Sequence, residues 1–209
     1  MELNNEFEVS APIDRVWALL TDVERIAPCL PGAQLQEVEG DEFRGVVKVK
    51  VGPITVQYKG AASFVERDDE GHRAVLRAEG RDTRGAGSAA AEIIAQLAAI
   101  DGGTKVTVTT DLKVAGKVAQ FGRGVMADVS RKLMAQFADN LSDLVSSAPT
   151  EDAPAEAAAE EAAPEVRVIE APEAEAVDLL GAAGASVLKR LVSTIIAVVV
   201  IVVIVLALI

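Results

Sequence analysis

The sequence predicts an α+β protein: a curved antiparallel sheet around one long C-terminal helix, followed by a linker and a transmembrane helix. Three observations carry this. Apolar residues alternate with period two over short segments between residues 3 and 115, divided by turn signals such as Gly52-Pro53 and Asp101-Gly102-Gly103. Residues 118–145 then carry an apolar stripe at helical spacing, Phe121, Val125, Val129, Leu133, Phe137, Leu141 and Leu144. Leu191 to Ile209 hold no charge and are almost all Val, Ile, Leu and Ala. As a helix this run spans about 28 Å, close to the hydrocarbon core of a bilayer.

Each element has its own signal. Leu3, Asn5, Phe7 and Val9 alternate and predict a half-buried strand. Ser10-Ala11-Pro12 opens a helix, because proline in the first turn loses no hydrogen bond there. Val16, Trp17, Leu19 and Leu20 have helical spacing, and Asp22 is placed to cap a second short helix that ends before Pro28 and the Pro31-Gly32 turn. Strands are expected at about 33–39, 42–51, 54–66, 72–80, 84–99 and 103–115. A long helix after an antiparallel meander must bury its stripe against the sheet.

Three segments follow from composition: a folded domain over 1–146, a disordered linker over 147–188, and a transmembrane tail anchor over 189–209. The chain has 209 residues and a formal charge of −12. Ten acids and one base, Arg167, lie between residues 147 and 186. That stretch is built from Ala, Glu and Pro and has too few large apolar residues to form a core. Its root-mean-square reach is about 35 Å. The islet Val166-Arg167-Val168-Ile169 is either a short docking motif or a chance apolar spot. Lys189 and Arg190 precede the tail, where cations mark the cytoplasmic side. The polar opening Met1-Glu2-Leu3-Asn4-Asn5-Glu6 gives no sign of a signal peptide. The expected location is therefore the cytoplasmic membrane, with the domain on its inner face.

Several functions are disfavoured. The domain is mildly acidic and has no basic stripe with interleaved aromatics, so nucleic acid is not an expected partner. The single cysteine, Cys29, excludes an internal disulfide. The single histidine, His72, has no cysteine or histidine cluster near it and reads as a surface residue, so no metal site is expected. Cys29 reads as a buried, inert thiol. Asp68-Asp69-Glu70 reads as a solvated hairpin turn. The glycines of Gly80-Arg81-Asp82-Thr83-Arg84-Gly85-Ala86-Gly87 lack the strand-to-helix context of a phosphate loop. No catalytic residue and no tightly bound cofactor is expected. Arg81, Asp82 and Arg84 either pair structurally or ring a cavity mouth. Gly116, Gly122 and Gly124 form either a plain helix-entry turn or a flexible gate.

The side chains that alternation points at the helix are unusually small. They include Ala62, Ala74, Ala78, Ala89, Ala91 and Ala95, and aromatic residues make up only 3% of the chain. Two readings stand: a core that packs small residues under a closely approaching helix, or a void that is apolar and suits a greasy ligand. Under the second reading the ligand-facing residues are Phe43, Val47, Val56, Tyr58, Phe64, Leu76, Ile93, Leu97, Phe121, Val125, Val129 and Leu133.

Beyond these patterns, specific motifs resemble a known family. They begin with Ala11-Pro12-Ile13-Asp14-Arg15-Val16-Trp17-Ala18-Leu19-Leu20-Thr21-Asp22 and Pro28-Cys29-Leu30-Pro31-Gly32-Ala33. Val51-Gly52-Pro53-Ile54, Tyr58-Lys59-Gly60, Gly80-Arg81-Asp82, Arg84-Gly85-Ala86-Gly87-Ser88-Ala89 and Gly103-Thr104-Lys105-Val106 continue the pattern. Val114-Ala115-Gly116-Lys117-Val118-Ala119-Gln120-Phe121-Gly122-Arg123-Gly124 closes it. Together they are similar to the START-like (Bet v 1-like, polyketide cyclase/dehydrase) superfamily and, within it, to the carbon monoxide dehydrogenase G-subunit family, over essentially all of residues 1–146. The resemblance implies a helix-grip fold with a hydrophobic cavity. It also implies an accessory role beside a molybdenum-containing carbon monoxide dehydrogenase, as a factor in its membrane attachment; other molybdenum hydroxylases are partners of relatives.

The expected function is a membrane-tethered, non-catalytic domain that binds an apolar small molecule, with a respiratory quinone as the sharpest candidate. The alternatives are a pure membrane adaptor that recruits the dehydrogenase, a phospholipid or fatty-acid carrier, and a cyclase-like enzyme. No acid and base pair can be placed in the cavity for the last.

Overall fold

The computed structural model describes residues 1–51, 54–85 and 87–147, together with two short strands at 167–168 and 177–178. The rest of the predicted linker and the predicted membrane helix lie outside the described residues. No helix among the described residues is long and apolar enough to cross a membrane.

The chain enters as β1 (Glu2–Val9), turns through α1 (Ile13–Thr21) and α2 (Val23–Ile26), and passes a 3₁₀ turn at Ala27–Cys29. A meander follows: β2 (Ala33–Glu39), β3 (Glu42–Val51), β4 (Ile54–Asp68), β5 (Arg73–Asp82), β6 (Gly87–Ile100) and β7 (Gly103–Gly116). A 3₁₀ turn at Lys117–Phe121 leads into α3 (Gly122–Ser147). These seven strands form one curved antiparallel sheet in the order β1-β7-β6-β5-β4-β3-β2, and α3 lies against it.

Local chemistry sets the boundaries. The Pro12 carbonyl accepts from Arg15 and Val16 (both 3.1 Å) and so starts α1. The Asp22 carboxylate accepts the Arg25 backbone N–H at 3.1 Å and caps α2 as the sequence predicts. The long helix begins later than the apolar stripe suggests. Gly116 (φ 90°) and Gly122 (φ 73°) both adopt left-handed backbone, which favours glycine, and they bracket the 3₁₀ turn before α3. These two glycines form the corners of the helix-entry turn. Bulges between Leu35 and Glu37 on β2 and between Phe64 and Glu66 on β4 add bend to the sheet.

Two dipeptides of the acidic linker join the sheet. β8 (Arg167–Val168) adds antiparallel to β2, with Val38 opposite Arg167. β9 (Val177–Asp178) runs parallel to β3, with Val49 opposite Val177. Arg167 and Val168, two residues of the linker's apolar islet, therefore lie on the edge strand of the domain.

Packing is uneven along the sheet. The larger core gathers Val9, Val16, Trp17, Leu19, Leu97 and Val106 with Phe137, Leu141 and Val145 of α3. Phe7 meets Phe137 edge-on, ring centres 5.8 Å apart. Thr104, fully buried, donates to the Ala11 carbonyl at 2.8 Å, so its burial leaves no orphan group. A smaller core at the other end joins Val56, Val118 and Met126, with Phe121 and Val125 half-buried against it. On α3 the buried positions are Met126, Phe137, Leu141 and Val145.

Candidate ligand cavity

Between the two cores lies an open cavity of about 560 Å³. Strand register explains it. On one inner-face rung Gly45, Gly60, Gly80 and Ala89 stand opposite one another across β3 to β6. On the next rung Ala62, Ala78 and Ala91 do the same across β4 to β6. Across β4 to β6 these two neighbouring rungs carry nothing larger than a methyl group, so the floor of the cavity there is backbone, while Phe43 on β3 and Leu112 on β7 end the second rung. Larger side chains rise on either side. Phe64, Leu76 and Ile93 share the rung at one edge, and Val47 and Tyr58 the rung at the other.

Glycine on the floor has two physical origins. A Cβ on Gly60 would run into the backbone carbonyl of Glu79, and one on Gly45 into that of Gln34, so both positions permit a close approach of neighbouring strands. At Gly80 a Cβ would only reach the Tyr58 Cβ, 3.3 Å away. There the missing side chain mainly leaves space.

The far wall is made by Leu20, Val23, Ile26 and Leu30 from α1, α2 and the 3₁₀ turn, and by Leu133 from α3. Leu30 (44% exposed) and Val47 (40%) belong to the lining as exposed apolar side chains. Large apolar groups left open to water at a cavity are the mark of a surface that takes an apolar partner or ligand.

Of the residues that the sequence points toward a ligand, Phe43, Val47, Tyr58, Phe64, Leu76, Ile93 and Leu133 line this cavity. Phe43 and Phe64 meet edge-on at 5.6 Å. Five others lie elsewhere. Val56 is buried in the smaller core, with Phe121 and Val125 half-buried against it. Leu97 is buried in the larger core. Val129 is half-buried on α3 outside the lining. Alternation identifies the face of a strand but not where along it the hollow begins and ends. The α1–α2 wall is not among the residues that alternation points to. Its spacing, Leu20, Val23, Ile26 or Ala27, and Leu30, is the signal that could have found it.

Polar groups near the cavity are sparse. Tyr58 is the one inner-face lining residue with a polar side chain. Arg44, Gln34 and Glu79 belong to the opposite face of their strands by alternation, and Arg44 is held there by Glu39 (2.9 Å), Glu42 (2.7 Å) and Glu37 (3.6 Å). Asp82, buried, stands opposite Tyr58 in register and accepts the Arg84 backbone N–H at 3.1 Å. Burial raises the Tyr58 phenol pKa, and the Asp82 charge adds to the rise. Asp82 is therefore a buried turn-former, while Arg81 and Arg84 are exposed.

The remaining reactive residues pack or bond within the fold. Cys29 is buried and its thiol pKa is raised by that burial. His72 is half-buried: it meets Trp17 edge-on at 5.6 Å and bonds Asp14 at 3.1 Å. Asp69 is not simply a solvated turn acid. It accepts the Trp17 indole N–H at 2.8 Å, and this bond, with Arg67 beside it, holds its pKa below the ordinary carboxylate value. The β4–β5 hairpin thus grips α1. No group of three metal-ligating side chains converges among the described residues. A second, polar groove on the outer face, about 380 Å³, carries charges of both signs, with Arg77 paired to Glu92 at 3.3 Å.

Comparison with known proteins agrees with this architecture. A conserved protein from Geobacillus kaustophilus is 22% identical, with a TM-score of 0.63 over 70% of this chain and 95% of that one. A protein from Thermus thermophilus is 20% identical, TM-score 0.51, over 71% of this chain and 100% of that one. Ara h 8.0201 is 19% identical, TM-score 0.52, over 71% and 99%. These likenesses establish the Bet v 1-like fold. No curated protein is significantly similar in sequence. The profile of the carbon monoxide dehydrogenase G-subunit family matches residues 6–146, which is most of the chain and the whole of the folded domain apart from the first half of β1. The chain belongs to the carbon monoxide dehydrogenase G-subunit (CoxG) family.

Proposed function

We propose that this protein is a membrane-tethered, non-catalytic carrier that works beside a molybdenum-containing carbon monoxide dehydrogenase at the cytoplasmic membrane. Its cargo is an apolar, lipid-like molecule, and a respiratory quinone is the cargo that fits the role. The observation that carries this reading is the open cavity of about 560 Å³ with a backbone floor and apolar walls. Its volume is in the range of small-molecule sites. Membership in the CoxG family supports the partner.

The role follows from phase. A dehydrogenase in water must pass electrons to an acceptor that lives in lipid. A domain tethered by residues 189–209 stays within reach of both. Tethering raises its effective concentration at the bilayer and at an enzyme held there. The cavity walls shelter the apolar ligand from water during transfer.

The test is the full-length protein purified in detergent, its lipids extracted and identified by mass spectrometry, beside the variant Ala78→Phe. The aromatic ring would occupy the floor between Ala62 and Ala91. A carrier is expected to release a stoichiometric quinone that the variant lacks, and carbon monoxide-dependent quinone reduction is expected to fall with the variant while the enzyme still reaches the membrane. Unchanged quinone reduction with a filled cavity would instead identify a pure adaptor.

A further inference from the structure

One end of the sheet is strongly cationic in a domain that is acidic as a whole. The β3–β4 turn, the β5–β6 turn and the entry to α3 meet there, so this end is built from residues 46–60, 80–90 and 113–124. These stretches hold eight bases and one acid, Asp82, which is buried; the rest of residues 1–146 holds nine bases and 21 acids. Scattered through the sequence, the cations form no stripe, and strand pairing gathers them. Lys59, Arg81, Arg84, Lys113, Lys117 and Arg123 are exposed, and Lys48 and Lys50 are half-buried on β3.

Elsewhere the arginines are paired: Arg44 with Glu39 (2.9 Å), Arg67 with Asp69 (2.9 Å) and Arg77 with Glu92 (3.3 Å). The six exposed cations make no such ion pair among the described residues. Glu79, Glu92 and Asp111 bound the patch on the outer face, where Arg77 and the Met1 ammonium (3.2 Å from Asp111) partly offset them. Two placements work against stability. Lys59 and Arg81 stand directly opposite across β4 and β5, a like-charge pair that weakens a sheet. Arg123 lies in the first turn of α3, where no acid offsets it and a cation opposes the helix dipole. Charge held against the stability of the fold points to a partner outside it.

The path of the chain points to the same end. β9 runs parallel to β3, with Asp178 opposite Lys50, and so heads toward the cationic end. Ten residues, 179–188, separate it from Lys189 at the start of the apolar run. Fully extended, they span at most about 35–40 Å. To present the opposite end to a membrane entered at residue 189, the chain would have to double back along strands as long as β6, whose 14 residues span about 45 Å.

We propose that the cationic end is a docking face for an anionic lipid surface and holds the folded domain upright on the membrane. The inference rests on the reading of residues 189–209 as an anchor and adds a second, electrostatic contact made by the domain itself. The Val47–Tyr58 rung bounds the cavity on this side, so docking turns that edge of the cavity toward the lipid.

The experiment reads amide hydrogen exchange of the full-length protein inserted in nanodiscs of phosphatidylcholine alone or of an equimolar mixture with phosphatidylglycerol. Exchange at Asp82–Gly85 and at Lys117–Phe121 is expected to slow by roughly fivefold or more in the anionic discs, about the effect of one cation at such a surface. The Asp68–Gly71 turn at the opposite end should not change. High salt should abolish the difference. Arg81→Glu should reduce it while the thermal melt equals or exceeds that of wild type, because Lys59 then faces an acid. Arg81→Glu combined with Lys117→Glu should abolish it.

Equal exchange in the two lipids would overturn the proposal. So would slowing that appears only when carbon monoxide dehydrogenase is added, which would assign the face to the enzyme. Slowing in both lipids that disappears when the acids between residues 151 and 175 are changed to serine would assign it to the chain's own linker. If the full chain enters discs of neither lipid, the anchor reading falls, and this inference with it.

Discussion

The inner face of one sheet is built two ways. At the Trp17 end the sheet, α1 and α3 interlock: Leu141 and Val16 are wholly buried, and Phe7 and Phe137 meet edge to face. In the middle, the same strands expose glycine and alanine, and α3 contributes only Leu133 to the lining. Both regions share strands, helix and curvature. The difference is side-chain volume on two rungs of the sheet. A long helix anchored at both ends can bridge a hollow that its own middle does not fill, so stability and a binding space are assigned to separate stretches of the same elements.

Five substitutions would break or sharpen this contrast. Leu141→Ala is expected to destabilise the most, by about 3–5 kcal/mol, because a wholly buried leucine leaves a cavity in packed surroundings; denaturant unfolding measures it. Gly60→Ala comes next, at about 1–3 kcal/mol, since its Cβ must push β4 away from the Glu79 carbonyl. A Gly60→Ala protein as stable as wild type would show that the glycine leaves space and does not permit close strand approach. Ala91→Leu adds a side chain to the hollow and should cost less than about 1 kcal/mol while displacing ligand, whereas the same volume added at the buried Ala74 of the packed end should cost about 1–3 kcal/mol. Leu133→Ala should cost about 1 kcal/mol or less, far below Leu141→Ala on the same helix, because Leu133 already faces space.

The smallest effect concerns pH. The Trp17 N–H lowers the Asp69 pKa. A lowered carboxylate pKa gives stability that is present above the ordinary value of about 3.9 and is lost as pH falls through the folded value. Asp69→Asn should therefore destabilise slightly at neutral pH, and its difference from wild type should shrink as pH drops below about 4. A difference that is constant with pH would show that the carboxylate charge contributes nothing to the grip on α1.

Much of the fold was legible in the sequence. Strand faces follow alternation, so inward assignments such as Phe43, Tyr58, Ala78 and Ile93 needed only the order of residues. The Asp22 cap and the turn at Pro31-Gly32 were equally local. Three features were not. The start of α3 shifted because Gly116 and Gly122 adopt left-handed backbone, which sequence permits but does not require. Val56 and Leu97 share a face with cavity residues but lie past its ends, because position along a strand has no sequence signature. Asp69 reads as a solvated turn acid until the fold brings Trp17, 52 positions away, within 2.8 Å.

By itself the sequence determined the order and faces of the strands, the amphipathic stripe of the long helix and the small residues on the inner face. These are set by local periodicity and side-chain volume. Tertiary structure decided which small residues fall on neighbouring rungs, which wall closes over them, and that Tyr58 and Asp82 stand opposite each other in register. Register between strands distant in sequence is fixed by the whole sheet, and no single segment encodes it.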